Sequence, residues 1–281
     1  MTSRTGGRTP QAIAAQMPAN PAETYEIYMV PALFAPAAEH LLTVARLQPG
    51  ERVLDVGTGT GIVARLAARN VGPLGTVTGL DASPDMLNVA RARAFAEGFS
   101  IEWDEGRAEA LPYPDLRFDL VLSQFALMFF TDRQTALAEM QRVLVPGGRM
   151  ALSVFAGIDR HPFYLALDDA IARHLGTSAV GDIFALGDVD GLRHAFIQAN
   201  LREVVIEPYS ITAHFPNPNA FLAGEIDVDT AAIPAMHGLD ATARRELTTA
   251  IQQDMAEPLH AVTEGDFVHL PFHVLIARAC R

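Results

Sequence analysis

The alternation of apolar and polar positions divides this chain into short runs with two different periods. Val53, Leu54 and Val56 form a brief apolar run, the pattern of a strand covered on both faces, and it ends in Gly57-Thr58-Gly59-Thr60-Gly61. Helical periodicity takes over from Ile62 to Asn70, and Gly72-Pro73-Leu74-Gly75 turns the chain into a second strand, Thr76 to Asp81. Ser83-Pro84 reads as a helix cap followed by proline at the first helical position, opening a helix to about Glu97, before Gly98. Ile101 to Glu105 alternates as a third strand, Phe118 to Ser123 forms a fourth and Arg149 to Phe155 a fifth. An amphipathic helix, Arg133 to Val143, lies between the last two. Strands that alternate with helices in this way predict a parallel sheet with helices on both faces.

The flanking segments complete the layout. Residues 1–21 are small, polar and punctuated by proline and glycine, and are expected to be disordered or loosely ordered. Glu23 to Val30 and Ala37 to Leu47 have helical periodicity, broken by Pro31 and Pro36. Beyond Phe155 the pattern predicts a helix at Phe163 to Leu175, an irregular stretch from Gly176 to Gly187, and a helix at Val189 to Ala199. A sixth strand at Glu203 to Thr212, a mostly helical segment over residues 216–266 and a last strand at Val268 to Ala277 follow. The expected organisation is a core with leading helices over residues 22–156 and cap insertions at 157–187 and 216–266. Residues 188–215 and 267–281 would complete the sheet.

Three alternate glycines after a buried strand allow positive φ and close backbone approach to a ligand, while the helix behind them presents free N–H groups. Asp81 ends the second strand twenty positions after Gly61, where a carboxylate accepts hydrogen bonds from both hydroxyls of a ribose. The same arrangement serves nicotinamide, flavin and S-adenosylmethionine ligands, or packing alone. Asp55 narrows the choice. It stands two residues before the first glycine, where an acid gains nothing from a pyrophosphate but suits a ligand carrying an α-ammonium and a sulfonium.

With Gly79-Leu-Asp-Ala-Ser-Pro-Asp-Met-Leu87, Gly106 to Asp115, Phe118 to Asp132 and Arg142-Val-Leu-Val-Pro-Gly-Gly148, the segment from Glu51 to Phe155 resembles the class I S-adenosylmethionine-dependent methyltransferases. The likeness is to the branch that includes the ubiquinone and menaquinone C-methyltransferases and natural-product tailoring enzymes. It implies an α/β, Rossmann-like seven-stranded sheet, mostly parallel, whose last two strands form an antiparallel hairpin, with a small, mainly helical cap. It also implies S-adenosylmethionine as cofactor and S-adenosylhomocysteine as product. Carried over residue by residue, the cofactor contacts are Asp55, Gly57, Thr58, Gly59, Gly61, Asp81, Ala82, Met86, Arg107, Ala108, Glu109, Ser123 and Gln124. Tyr25 and Tyr28, three apart on the leading helix, join them. Arg107 departs from the pattern, since related enzymes usually have an acid there and a guanidinium cannot accept from the adenine amine. The loop after the fourth strand borders the reactive methyl in such enzymes, so Met128, Phe129 and Phe163 are the expected acceptor contacts. No catalytic residue stands out; His161, Tyr28 and Gln124 are the candidates.

Composition changes the picture little. A formal charge of −12, with 33 Asp+Glu against 21 Lys+Arg, argues against a nucleic-acid partner. The single cysteine, Cys280, cannot form an internal disulfide. Neither a signal-type apolar run nor a stretch of ~20 apolar residues is evident, so no membrane partner and a cytoplasmic location are expected. Of nine histidines, His269 and His273 are the one close pair, but on a strand they lie about 13 Å apart, too far for one metal ion. No metal is therefore expected. The expected activity is methyl transfer by in-line displacement to a small, largely apolar acceptor. A non-methylating reaction such as cyclisation, or ligand binding without turnover, is the alternative.

Overall fold

Strands that are apolar on both faces require helices on both sides, and the chain supplies them in alternation. The computed structural model describes residues 20–230, 236 and 239–281. The strands are β1 (Arg52–Val56), β2 (Thr76–Asp81), β3 (Glu102–Glu105), β4 (Phe118–Gln124), β5 (Leu144–Phe155), β6 (Arg202–Pro216), β7 (Thr263–Glu264) and β8 (Phe267–Cys280). They form one sheet in the order β3-β2-β1-β4-β5-β8-β6, with the two-residue β7 paired to β8. The first five run parallel, and β8 is antiparallel to both β5 and β6. The expected seven-strand path and terminal hairpin are present; β7 is an addition. The strand order reverses between β1 and β4, and in open sheets of this kind ligands bind outside the carboxyl ends at that point.

The leading segment differs from expectation. Helix α1 (Pro21–Met29), a π-helical turn (Val30–Phe34) and helix α2 (Ala35–Val44) run on without a break. Pro31 and Pro36 each fall in the first turn of their own segment, so the missing N–H groups coincide with the changes of helical pitch. Within the resulting 24-residue helix, Pro21–Val44, an 18-residue window reaches a mean hydropathy of 1.4, long and apolar enough by length and composition to cross a membrane. The expectation that no such stretch exists is corrected. Its apolar stripe is spent elsewhere: Leu33, Ala38 and Leu41 are at most 1% exposed, within the hydrophobic core.

Helices α3 (Ile62–Val71), α4 (Pro84–Glu97), α5 (Arg133–Val143), α6 (Pro162–Leu175) and α7 (Val189–Gln198) follow. The side chains of Ser83 and Asp132 cap α4 and α5 by accepting from Met86 and Thr135, and Gly98 ends α4 in the left-handed conformation. The helical cap contains α8 (Pro218–Thr230), α9 (Ala241–Asp254) and α10 (Ala256–Ala261). Phe221 of α8 stacks on Phe215 of β6 at 4.7 Å and meets Phe163 of α6 at 5.8 Å, which joins cap to core. The expectation for residues 1–21 falls almost wholly outside the described residues.

A buried ionic cluster fixes α1 to the core. Arg65 of α3 donates to Glu26 of α1 at 2.8 Å, both side chains being at most 7% exposed, and Arg65 also pairs with Glu97. Arg93 approaches Glu26 at 3.5 Å. Removing one member of such a pair strands the other, whereas replacing both by apolar groups removes the desolvation cost as well. Glu26→Ala should therefore lower stability by about 3 kcal/mol. Glu26→Leu with Arg65→Met should lower it less. Denaturant melts of the wild type and the two variants check this, and a double variant at least as unstable as Glu26→Ala would contradict it.

Candidate cofactor site

The site is built where β1 ends. Gly57, Gly59 and Gly61 adopt φ of 70°, 57° and 83°. At Gly57 an added Cβ would stand 2.5 Å from Cβ of Ala126, and at Gly61 it would stand 2.5 Å from the Trp103 ring. The turn is thus pressed against the loop after β4 at one end and against β3 at the other. Gly59 is different: a Cβ there meets only the Tyr25 hydroxyl, at 4.0 Å. The middle of the turn faces open space beneath α1.

Two carboxylates flank that opening. Asp55 is 1% exposed and accepts from Thr58 Oγ1 at 2.6 Å through Oδ2, while its Oδ1 is buried without a hydrogen-bond partner among the described residues. Burial pushes its pKa up to about 7, with the charge of Asp81 adding to the rise, against the lowering effects of the Thr58 hydrogen bond and the nearby Ala64 backbone N–H. Asp81 accepts from Gly59 N–H at 2.8 Å and from Ser83 N–H at 2.9 Å, one bond on each oxygen. A carboxylate has about four acceptor positions, so two remain for a ligand diol. Burial, then the charges of Asp81, Glu26 and Asp55, raises the pKa of Tyr25 above the ordinary phenol value, so it stays a donor over the turn.

The orphaned Asp55 oxygen, the spare acceptor capacity of Asp81 and the open face of Gly59 fit a ligand that brings a cation at one end and a diol in the middle. Ala82 is exposed just beyond Asp81, and Met86 is half-buried in the first turn of α4. Further along the sheet, Ala108 is buried, but Arg107 is 61% exposed and donates to Thr131 Oγ1 at 2.8 Å. Glu109 accepts from the backbone N–H groups of Thr131 and Asp132 at 2.8 and 3.3 Å. Arg107 and Glu109 therefore join the β3 end to the loop after β4. Ser123 is buried with its hydroxyl unpartnered among the described residues. Gln124 donates to the Phe34 carbonyl at 2.9 Å, tying β4 to the leading helix.

The remaining expected residues divide. Tyr28 is half-buried on α1. His161 is 2% exposed and held at both nitrogens: Nδ1 bonds the Gly157 carbonyl at 3.1 Å, and Nε2 accepts from His273 N–H at 3.0 Å. That fixes the proton on Nδ1 and leaves neither nitrogen for a substrate, while burial keeps the pKa below the ordinary imidazole value. His161 is a structural residue. Phe129 is 68% exposed, whereas Met128 is buried and Phe130 lies 3.6 Å from the Cβ position of Gly57. The short 3-10 turn Leu127–Phe129 turns Phe130, not Phe129, toward the site. Phe163 is buried in the seam between cap and core.

Two further residues stand out near the site and in the cap seam. Phe125 has φ of 48°, an uncommon conformation for a bulky residue, and stacks on Phe155 at 4.3 Å. In the cap seam, Glu225 of α8 accepts from the Tyr164 hydroxyl at 2.8 Å, and burial raises its pKa to about 7. A lone acid in a weakly periodic segment gives no signal of such a contact.

Comparison with known proteins adds identity to this geometry. The family described as "Methyltransferase domain" matches residues 54–152. The ubiquinone/menaquinone biosynthesis C-methyltransferase UbiE of Cupriavidus metallidurans is 36% identical over 140 residues, 49% of this chain and 58% of that protein. The demethylmenaquinone methyltransferase of Deinococcus radiodurans is 47% identical over 104 residues, 37% of this chain and 43% of that protein. The chain thus spans about half the length of the curated relatives it matches. Among solved structures, the YcgJ protein from Bacillus subtilis superimposes with a TM-score of 0.57 at 20% identity, covering 88% of this chain and 98% of that one. The [4+2]-cyclase SpnF gives a TM-score of 0.52 at 22% identity, with 87% and 80% covered. With the glycine turn and paired carboxylates inside it, the segment 54–152 is a methyltransferase domain related to that of the ubiquinone/menaquinone-type enzymes.

Proposed function

We propose that the protein transfers a methyl group from S-adenosylmethionine to a small, largely apolar organic acceptor, leaving S-adenosylhomocysteine. The observation that carries this reading is the pair of carboxylates, Asp55 and Asp81, on either side of the open glycine Gly59 at the carboxyl ends of β1 and β2. Asp81 would hold the ribose hydroxyls. Asp55 would face the cationic end, beneath Tyr25. Ala108 and Met86 would border the adenine, with Arg107 and Glu109 closing that end through Thr131. The acceptor would approach from the side of Phe130 and the cap.

S-adenosylmethionine supplies an electrophilic methyl and its own leaving group. The chain's part is then to align the acceptor atom and exclude water, and no residue need act as a strong base toward an enolate, phenolate or neutral amine. The aromatic residues around Phe125 and Phe155 suit the exclusion of water. The same proposal takes residues 22–156 as the cofactor core, 157–187 and 216–266 as cap, and 188–215 and 267–281 as completion of the sheet. It also places the protein in the cytoplasm, without nucleic-acid or membrane partners.

Incubation with methyl-labelled S-adenosylmethionine and a panel of acceptors tests the activity: label in the product supports methyl transfer. Product change without label would instead support a non-methylating reaction such as cyclisation. Binding without any product would make the chain a ligand-binding protein.

Two further outcomes are expected. Asp81→Ala removes charge-assisted bonds to two hydroxyls, each worth about 1.5–3 kcal/mol. It should weaken S-adenosylmethionine binding at least tenfold by calorimetry, and an unchanged affinity in a folded variant would remove Asp81 from the site. Asp55 gives a pH dependence. Its folded pKa of about 7 stands above the unfolded value of 3.8, so the folded state holds the extra proton. Stability of the ligand-free protein should fall as pH rises from about 4 to 7. A bound cation favours the carboxylate, so S-adenosylmethionine affinity should rise over the same range. Asp55→Asn should raise the melting temperature at pH 8, weaken binding and flatten its pH profile. A wild-type affinity that is constant between pH 5 and 8 would contradict the assignment.

A further inference from the structure

The outer hairpin of the sheet places two imidazoles in an arrangement unrelated to the cofactor site. His214 on β6 pairs in register with His269 on β8, and their Nδ1 atoms are 2.8 Å apart. Inward positions of this hairpin, Ala213, Phe215, Val268 and Leu270, are at most 2% exposed. The alternate positions face solvent, so His214 is exposed and His269 half-buried. The ring planes stand at 80° with centroids 4.7 Å apart.

The position in the chain matters as much as the geometry. Two residues after His214 the strand ends at Pro216 and the chain enters α8. His269 lies just after the chain returns from α10 through β7. The Asn217 N–H bonds the Asp266 carbonyl at 2.9 Å, and the His269 N–H bonds the Val262 carbonyl at 2.7 Å. The pair therefore bridges the two crossings that form the neck of the cap.

We propose that His214 and His269 form a two-nitrogen chelating site for a divalent transition metal of the Cu2+ or Ni2+ type, which would clamp the neck of the cap. Two metal–nitrogen bonds of about 2.0–2.1 Å at a right angle put the nitrogens about 2.9 Å apart. The observed separation matches that bite, and binding displaces the shared proton and turns each ring so that both Nδ1 lone pairs meet at the ion, off the line that joins them. No group of three or more His, Cys, Asp or Glu able to hold a metal occurs among the described residues. Water or a small anion would complete the coordination, which also suits the tetragonal preference of these ions over a closed tetrahedral site.

The test titrates the full chain with Cu2+, and separately with Ni2+, by calorimetry, and records the Cu2+ electron paramagnetic resonance spectrum. One equivalent should bind, with nitrogen couplings from two equatorial imidazoles. His214→Gln and His269→Gln should each weaken that binding at least tenfold and remove one imidazole coupling, while His273→Gln should bind as the wild type does. Circular dichroism confirms that the variants are folded. If a hairpin variant does not fold, the two-imidazole spectrum of the wild type and its retention in His273→Gln, His260→Gln and His194→Gln carry the test. Absence of binding, a single-imidazole spectrum, or equal affinity in folded hairpin variants would overturn the proposal.

Discussion

The backbone from Gly57 to Gly61 fits where it does because nothing larger than hydrogen can stand at its two ends. Ala126 closes on one side and the Trp103 ring on the other. The turn is also held from within: Gly57 and Thr58 donate to the Leu80 carbonyl, Thr58 bonds Asp55, and Gly59 bonds Asp81. β1, β2, β3 and the loop after β4 are therefore positioned by one short segment. A side chain at Gly57 or Gly61 would push apart the strand ends that carry the polar groups of the site.

That arrangement has a cost, and the cost is informative. Buried polar atoms in folded proteins are nearly always paired. Here Glu26 Oε2 on α1 and, in or beside the sheet, Asp55 Oδ1, Thr60 Oγ1, Ser123 Oγ, Gln124 Oε1 and Ser153 Oγ are buried without partners among the described residues. Asp55, Ser123 and Gln124 stand at or near the carboxyl ends of β1 and β4, beside the turn. Hydrophobic strands fill the middle of the sheet, and unsatisfied polarity is concentrated at its ligand-facing edge. A site that binds a polar ligand tolerates such groups because the ligand restores the missing interactions. The Glu26–Arg65 pair then holds α1, with Tyr25, above the opening.

Much of this was legible in the chain because it is local. The apolar runs, the Ser83 cap, Gly98 and the glycine turn depend on residues a few positions apart, and the structure places them as the pattern predicts. Asp55 and Asp81 were legible for the same reason, each lying at the end of its strand beside that turn. What was not legible depends on distant contacts. Glu26 and Arg65 are 39 positions apart, and His214 meets His269 only because β6 extends to Pro216. Pro31 and Pro36 are expected to end helices, but packing against the core carried the helix through them. The choice between Phe129 and Phe130 was set by a single 3-10 turn, too short to show any periodicity.

The central claim is that one crevice, between Gly59 and Asp81 and beneath α1, holds S-adenosylmethionine. A crystal structure with S-adenosylhomocysteine tests it most directly. The account predicts a ribose on Asp81, the amino-acid end near Asp55 and Tyr25, and adenine toward Ala108. A ligand bound elsewhere on the sheet, or full soaking without any density at this turn, would contradict it.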